Sequence, residues 1–240
     1  MIRAILFDAF QTLIDLHPSY AGAFADVCRR FGHDVRAAEI EAVLPEVEAE
    51  HHQRHQPHAN GWRCTAEELH ERWLDYNRLV FKAAGVRDGL DEMAHDMERR
   101  FNSGEYAHSY DDAMPALQAL RERGLKIGIV SNGTQGVIDC LQALGYAERT
   151  DFTLVSALFG FEKPAPEIFM EACRLAETAP HETMFVGDNL KADCEGARDA
   201  GLRPVWLTRN GVDQAPVPFP RIKSLFEVEG LLNAPVASVE

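Results

Sequence analysis

The chain begins with an almost wholly apolar run, MIRAILF, that breaks at a carboxylate, Asp8. A short apolar run bounded by polar residues reads as a buried strand, so residues 2–7 are predicted as one. From about Pro18 to Asn102 the apolar positions change period. Tyr20, Phe24, Val27, Cys28 and Phe31 recur every three or four residues, as do Ile40, Val43, Leu44 and Val47. Leu69, Trp73, Tyr76, Leu79 and Val80 make a third set. Each set paints one stripe of a helix. Thr65 and Glu68 stand at capping-box spacing before the third, and residues 88–101 predict a fourth.

Beyond about Asp111 the pattern alternates. LKIGIV (125–130), FTLVS (152–156), TMFVG (183–187) and PVWL (204–207) read as strands. Residues 135–144, 166–176 and 190–200 read as helices between them. Apolar strands separated by amphipathic helices predict a parallel sheet covered on both faces. With the first strand the sheet has at least five. An α/β core, residues 1–16 and 103–240, is thus interrupted by a helical module, residues 17–102. The Pro-rich stretch DQAPVPFP (213–220) predicts a loop before a last short helix.

Charge and cysteine content narrow the partners. With 24 Lys+Arg against 38 Asp+Glu the net charge is −14, so a general nucleic-acid-binding surface is not expected. A small anionic substrate held by a few local donors remains compatible with it. The five cysteines, Cys28, Cys64, Cys140, Cys173 and Cys194, are scattered and form no CxxC pair. They are read as reduced, buried thiols of a cytoplasmic protein. No leader-like start and no run of roughly 20 apolar residues occurs, so no membrane span is expected.

In open parallel sheets ligands bind at the carboxyl ends of the strands, and here those ends carry chemistry. Strand one ends at Asp8, the 125–130 strand at Ser131-Asn132-Gly133, and the 183–187 strand at Asp188-Asn189. Lys163 follows the 152–156 strand. Asp8 is a candidate nucleophile, since a carboxylate can attack phosphorus or a carbon bearing a leaving group. Asp188 and Asp193 add two carboxylates that repel Asp8 and each other unless a cation sits among them. Oxygen ligands of this kind suit Mg²⁺. Ser131 and Asn132, just before a helix, suit an anion site. Lys163, its backbone fixed by Pro164 and Pro166, can neutralise both Asp8 and a bound anion.

Four segments in order, FDAFQTLID (7–15), IVSNG (129–133), EKPAPEIF (162–169) and VGDNLKADCEGARDAG (186–201), resemble those of the haloacid dehalogenase superfamily of hydrolases. The resemblance implies a Rossmann-like core and makes the helical insert similar to the family's cap. It implies Asp8 as nucleophile and Asp8, Asp188 and the Phe10 carbonyl as Mg²⁺ ligands. Asp193 then holds the ligands or the metal's waters in place, Lys163 is catalytic, Ser131 and Asn132 bind the anion, and Thr12 orders the loop or touches the anion.

Phe10 departs from that pattern. Most phosphatases of the family carry a second aspartate there, which protonates the leaving alcohol, and Phe10 has no proton to give. General acid–base help contributes typically about 10²–10⁴-fold, so the loss is consequential. Three readings stay open: a phosphatase of small phosphomonoesters without the usual acid, a metal-independent 2-haloacid dehalogenase acting through an aspartyl ester, and a weakly active phospho-ligand binder. Phosphonate cleavage needs an early cap lysine, and the insert holds only Lys82. The acid cluster places the phosphatase first, because phosphoryl transfer uses a cation to offset charge. Finally, HHQRHQPH (51–58) puts His51 and His55 on one helix face, a spacing that can bind zinc. With Arg54 between them and Pro57 beyond, it is read as a solvated helix end.

Overall fold

The computed structural model of the chain describes residues 1–55, 62–209 and 216–232. Its centre is a six-stranded parallel sheet. In chain order the strands are β1 (Ala4–Phe7), β4 (Lys126–Ser131), β5 (Phe152–Val155), β6 (Thr183–Gly187), β7 (Arg203–Leu207) and β8 (Arg221–Ile222). They lie side by side as β5-β4-β1-β6-β7-β8, every neighbouring pair parallel. Two further strands, β2 (Ile14–Leu16) and β3 (Ala107–Ser109), form a separate antiparallel pair.

The period of two explains why β1 can be apolar throughout. Ile5 and Phe7 pack on one side with Ile127, Ile129, Met184 and Val186. Leu6 turns to the other side, against Val130, Phe185 and the helix residues Ile168 and Phe169. Both faces of a parallel sheet are buried, so alternation in polarity disappears. The helices of the core are α5 (Ala113–Glu122), α6 (Gln135–Ala143), α7 (Ser156–Phe159), α8 (Pro166–Ala176), α9 (Gly196–Asp199) and α10 (Val228–Leu231).

Between β2 and β3 the described residues form four helices: α1 (Tyr20–Arg30), α2 (Ala37–Arg54), α3 (Ala66–Ala83) and α4 (Leu90–Asn102). Ser19 caps α1 by accepting from the Gly22 N–H, and Thr65 with Glu68 makes the capping box expected for α3. The cap touches the core where it matters for the site. Cys64 N–H donates to the Gly160 carbonyl at 3.1 Å and Glu162 N–H to the Trp62 carbonyl at 2.9 Å. Arg72 of α3 pairs with the buried Glu162 at 2.6 Å.

Several expectations need correction. The β2–β3 pair, α5, α7 and β8 were not anticipated. The helix expected over 190–200 is a wide π-type turn, Leu190–Glu195, followed by the short α9. Phe31, placed on the first helical stripe, caps the end of α1 and is 40% exposed. The segments 56–58 and 213–215 lie outside the described residues. All five cysteines are buried and free, as expected. Among the described residues no helix is long and apolar enough to cross a membrane.

Candidate active site

The strand order reverses between β1 and β6, where connections run to opposite sides and leave a crevice at the carboxyl ends. Register fixes what meets there. Phe7 stands beside Ile129 on one side and Val186 on the other, so Asp8, Ser131 and Asp188 follow within two residues of that level. One carboxylate oxygen from each of Asp8, Asp188 and Asp193 lies within 4.8 Å of the others.

Lys163 joins this group. Its Nζ donates to Asp8 Oδ1 at 2.5 Å and to Asp193 Oδ1 at 2.7 Å. The lysine side chain is 2% exposed. Burial works against its charge, but Asp193 and Asp8 outweigh that and hold the ammonium protonated well above the ordinary lysine range. Asp193 spends its other oxygen on the Asn189 N–H, at 3.0 Å. Room for that contact comes from Gly187, where a Cβ would stand 2.3 Å from Asp193 Oδ2. Asp193 therefore binds Lys163 and the loop after β6 together, while Asn189, accepting from Lys191 and Ala192, caps the turn that follows.

Asp188 has no such ammonium contact. Its pKa is pushed up to about 8 by burial, then by the neighbouring Asp8 and Asp193 charges. Asp8 is pushed up to about 6, chiefly by burial, with Lys163 pulling down and Asp193 pushing up. Three carboxylates thus face one ammonium, which leaves an excess of two negative charges when all are ionised. An all-oxygen donor set with that excess fits a divalent cation of the Mg²⁺ type. The lysine ammonium lies between Asp8 and Asp193, bonded to one oxygen of each.

The remaining expected residues follow β1 or lie at the end of β4, its neighbour in the sheet. Ser131 ends β4 and is 3% exposed. Asn132 is committed to the lysine loop: its Nδ2 donates to the Lys163 carbonyl at 2.9 Å and its Oδ1 accepts from the Lys163 N–H at 2.7 Å. Thr12 is fully buried, and its Oγ1 has no hydrogen-bond partner among the described residues. Phe10 packs on Phe101 of α4, ring centroids 5.0 Å apart, and Phe101 in turn meets Trp73 of α3 at 6.1 Å. The ring that replaces the expected acid belongs to an aromatic wall shared by core and cap. Neither Phe101 nor Trp73 was picked out from sequence as its partner; only Trp73's place on a helical stripe hinted at burial.

His51 and His55 are less solvated than expected. His51 is half-buried and shares a hydrogen bond with the Arg72 carbonyl at 3.0 Å, and burial lowers its pKa. His55 contacts Asp75 of α3 at 3.1 Å, and a ring nitrogen of each histidine falls within 4.8 Å of the Asp75 carboxylate. Protein groups already serve these donors, because Arg54 also pairs with Asp75, at 3.3 Å. A cavity of about 510 Å³ lies beside them; of its arginines, Arg72 pairs with Glu162 and Arg78 with Glu71 and Asp91, while Arg63 lies over the Phe161 ring.

Residues 2–201 match the family model of haloacid dehalogenase-like hydrolases. The chain is 31% identical over 218 residues to the glyceraldehyde 3-phosphate phosphatase of Methanopyrus kandleri, covering 87% of this chain and 85% of that protein. Among solved structures it resembles the magnesium-bound orthorhombic form of the HAD-hydrolase YfnB from Bacillus subtilis. That likeness has a TM-score of 0.77 and 21% identity, over 97% of this chain and 99% of the other. It also resembles a defluorinating L-2-haloacid dehalogenase, with a TM-score of 0.75 and 22% identity over 97% and 96% of the two chains. A parallel α/β core with an inserted helical cap and an acid cluster around a candidate aspartate nucleophile defines a class of hydrolases. The chain belongs to the haloacid dehalogenase-like hydrolases.

Proposed function

We propose that the chain hydrolyses a small phosphomonoester through an aspartyl-phosphate on Asp8, with residues 17–102 as the cap that selects the ester. The observation that carries this reading is the charge balance of the buried site. One lysine serves two of three clustered carboxylates, and Asp188 is left at a pKa raised to about 8. Attack on a carbon bearing halide gives no reason to gather that excess of acid. Asp8, Asp188 and the Phe10 carbonyl are the proposed ligands of Mg²⁺. When bound, the ion offsets the negative charge that accumulates on phosphoryl oxygens during transfer.

The chain's own groups do the rest. The Asp8 carboxylate forms an O–P bond as the ester P–O bond breaks, and the electron pair leaves with the ester oxygen. That oxygen takes its proton from water, because Phe10 has none to give. Lys163 and the Ser131 hydroxyl hold phosphoryl oxygens, Thr12 orders the loop or meets the same anion, and Asn132 steadies the lysine. Water then attacks phosphorus, frees phosphate and returns Asp8 as carboxylate. The missing acid favours esters whose leaving group needs little protonation.

Phe10 itself supports a second reading, the 2-haloacid dehalogenase, since halide departs without a proton. One comparison separates the two: phosphate release from an aryl phosphate with and without Mg²⁺, against chloride release from 2-chloropropionate. Mg²⁺-dependent phosphate release, abolished by Asp8→Asn, is expected. Metal-independent chloride release abolished by the same substitution overturns the phosphatase reading. Neither release, with specific binding of a phospho-ligand, favours a binding protein.

A further inference from the structure

We propose that Arg209 is a positioning residue for the nucleophile, holding from the carboxyl end of β7 the main-chain loop that carries Asp8. The inference rests on the reading above, in which Asp8 attacks. The loop from Asp8 to Ile14 is a tight turn closed on itself. Leu13 and Ile14 N–H both donate to the Ala9 carbonyl, at 2.9 and 3.0 Å, and Gln11 N–H donates to the Ile14 carbonyl at 2.8 Å. Gln11 sits in the left-handed region, at φ 55°, where a side chain is strained. The outward carbonyls of this turn, those of Thr12 and Leu13, are taken up by donors from elsewhere in the chain.

Three residues distant in sequence hold them. The Leu13 carbonyl accepts from the Tyr110 N–H and the Tyr146 hydroxyl, each at 3.0 Å. The Thr12 carbonyl accepts from Arg209 Nη2 at 2.6 Å, the one charged donor of the set. Charge-assisted hydrogen bonds are the stronger kind, and a guanidinium fixed at several points orients what it binds. Arg209 is fixed. Its two terminal nitrogens reach the two oxygens of Asp112 at 2.9 and 3.1 Å, and its guanidinium carbon lies 3.8 Å from the centre of the Tyr110 ring. Asp112 is anchored by the Ser224 hydroxyl at 2.7 Å and the Leu225 N–H at 2.8 Å. The Tyr110 hydroxyl donates to Asp15, just past the turn, at 2.6 Å. The C-terminal segment, the loop after β3 and the nucleophile turn are one polar assembly with Arg209 at its centre. Thr12 belongs to the same internally bonded turn as the Phe10 carbonyl, so release of its carbonyl is expected to loosen the turn that follows Asp8.

The test replaces Arg209 by Gln, Lys and Ala. With an aryl phosphate and saturating Mg²⁺, R209Q is expected to lower kcat about 10²-fold, the scale of a misplaced reacting group, with KM nearly unchanged. R209K keeps the charge but loses the fork, and a loss of roughly tenfold is expected. Methylguanidinium added to R209A is expected to restore part of kcat, which a purely structural arginine would not permit. Hydrogen exchange of the 9–14 peptide is expected to quicken in R209Q. A kcat within about twofold of wild type in R209Q or, if that variant does not fold, in R209K overturns the inference. Exchange unchanged at 9–14 overturns it equally. If wild type hydrolyses no phosphate ester, the phosphatase reading fails, and quickened exchange in R209Q still upholds the positioning role.

Discussion

A phenylalanine at position 10 puts an aromatic ring where the resemblance to phosphatases of this family leads one to expect a proton donor. Its partner Phe101 lies 5.0 Å away across the core–cap boundary, so the side chain has packing work as well as a chemical deficit. Phe10→Asp separates the two. Restored general acid catalysis matters most for alkyl esters, whose alkoxide is a poor leaving group. An increase of about 10²-fold in their turnover is expected, the low end for a group not tuned to its site. Aryl phosphates, whose phenolate leaves readily, are expected to change little. The lost aromatic pair is expected to cost about 1 kcal/mol of stability. The ratio of alkyl to aryl kcat in the variant and in wild type is the measurement, and an unchanged ratio means that proton delivery does not limit this enzyme.

At the scale of elements, the decisive contact is the short seam between the cap segment 62–64 and the core segment 160–162, joined by an isolated bridge of Arg63 with Phe161. That segment leads directly into Lys163, and the Arg72–Glu162 pair closes it with 26% and 12% of the two side chains exposed. Arg72→Ala leaves Glu162 buried with its charge unanswered. A loss of about 2 kcal/mol is expected by urea denaturation, in the range for hydrogen bonds to charged groups. Arg72→Lys is expected to recover part of it. The seam also marks where sequence stops being informative. The runs LKIGIV and TMFVG announce strands because both sheet faces are buried, and Asp8, Ser131, Lys163 and Asp188 are legible because each follows such a run. The three-residue strands β2 and β3 carry too few positions for any period to emerge. The turn at 190–195 looks helical because its apolar spacing is nearly that of an α-helix. Tyr110, Asp112 and Arg209 were missed because their partners lie far along the chain, as in the pairing of Arg209 with Thr12. The one available signal was that Arg209 stands two residues beyond the PVWL strand, at the same edge of the sheet as Asp8.

For the whole molecule the acid cluster is a liability in the metal-free state. A carboxylate whose folded pKa is raised to about 8 binds its proton more tightly when folded than when unfolded. Stability therefore falls as pH rises from the ordinary carboxylate range, about 4, to about 8. Asp8, raised to about 6, adds to the same slope over a narrower window. A divalent ion that binds only the folded, deprotonated site reverses this effect, because its affinity grows as the protons leave. At a hundred times its Kd it adds about 2.7 kcal/mol. Thermal unfolding followed at pH 6 and pH 8.5, with EDTA or with excess Mg²⁺, is expected to show two opposite trends. Without the ion Tm drops with rising pH; with it the drop is cancelled. Asp188→Asn removes one buried charge, so its metal-free Tm at pH 8.5 is expected to exceed that of wild type while the Mg²⁺ shift disappears. A wild-type Tm indifferent to Mg²⁺ at pH 8.5 means that Asp8, Asp188 and Asp193 are not arranged for an ion. The charge balance on which the phosphatase reading stands would then have another origin.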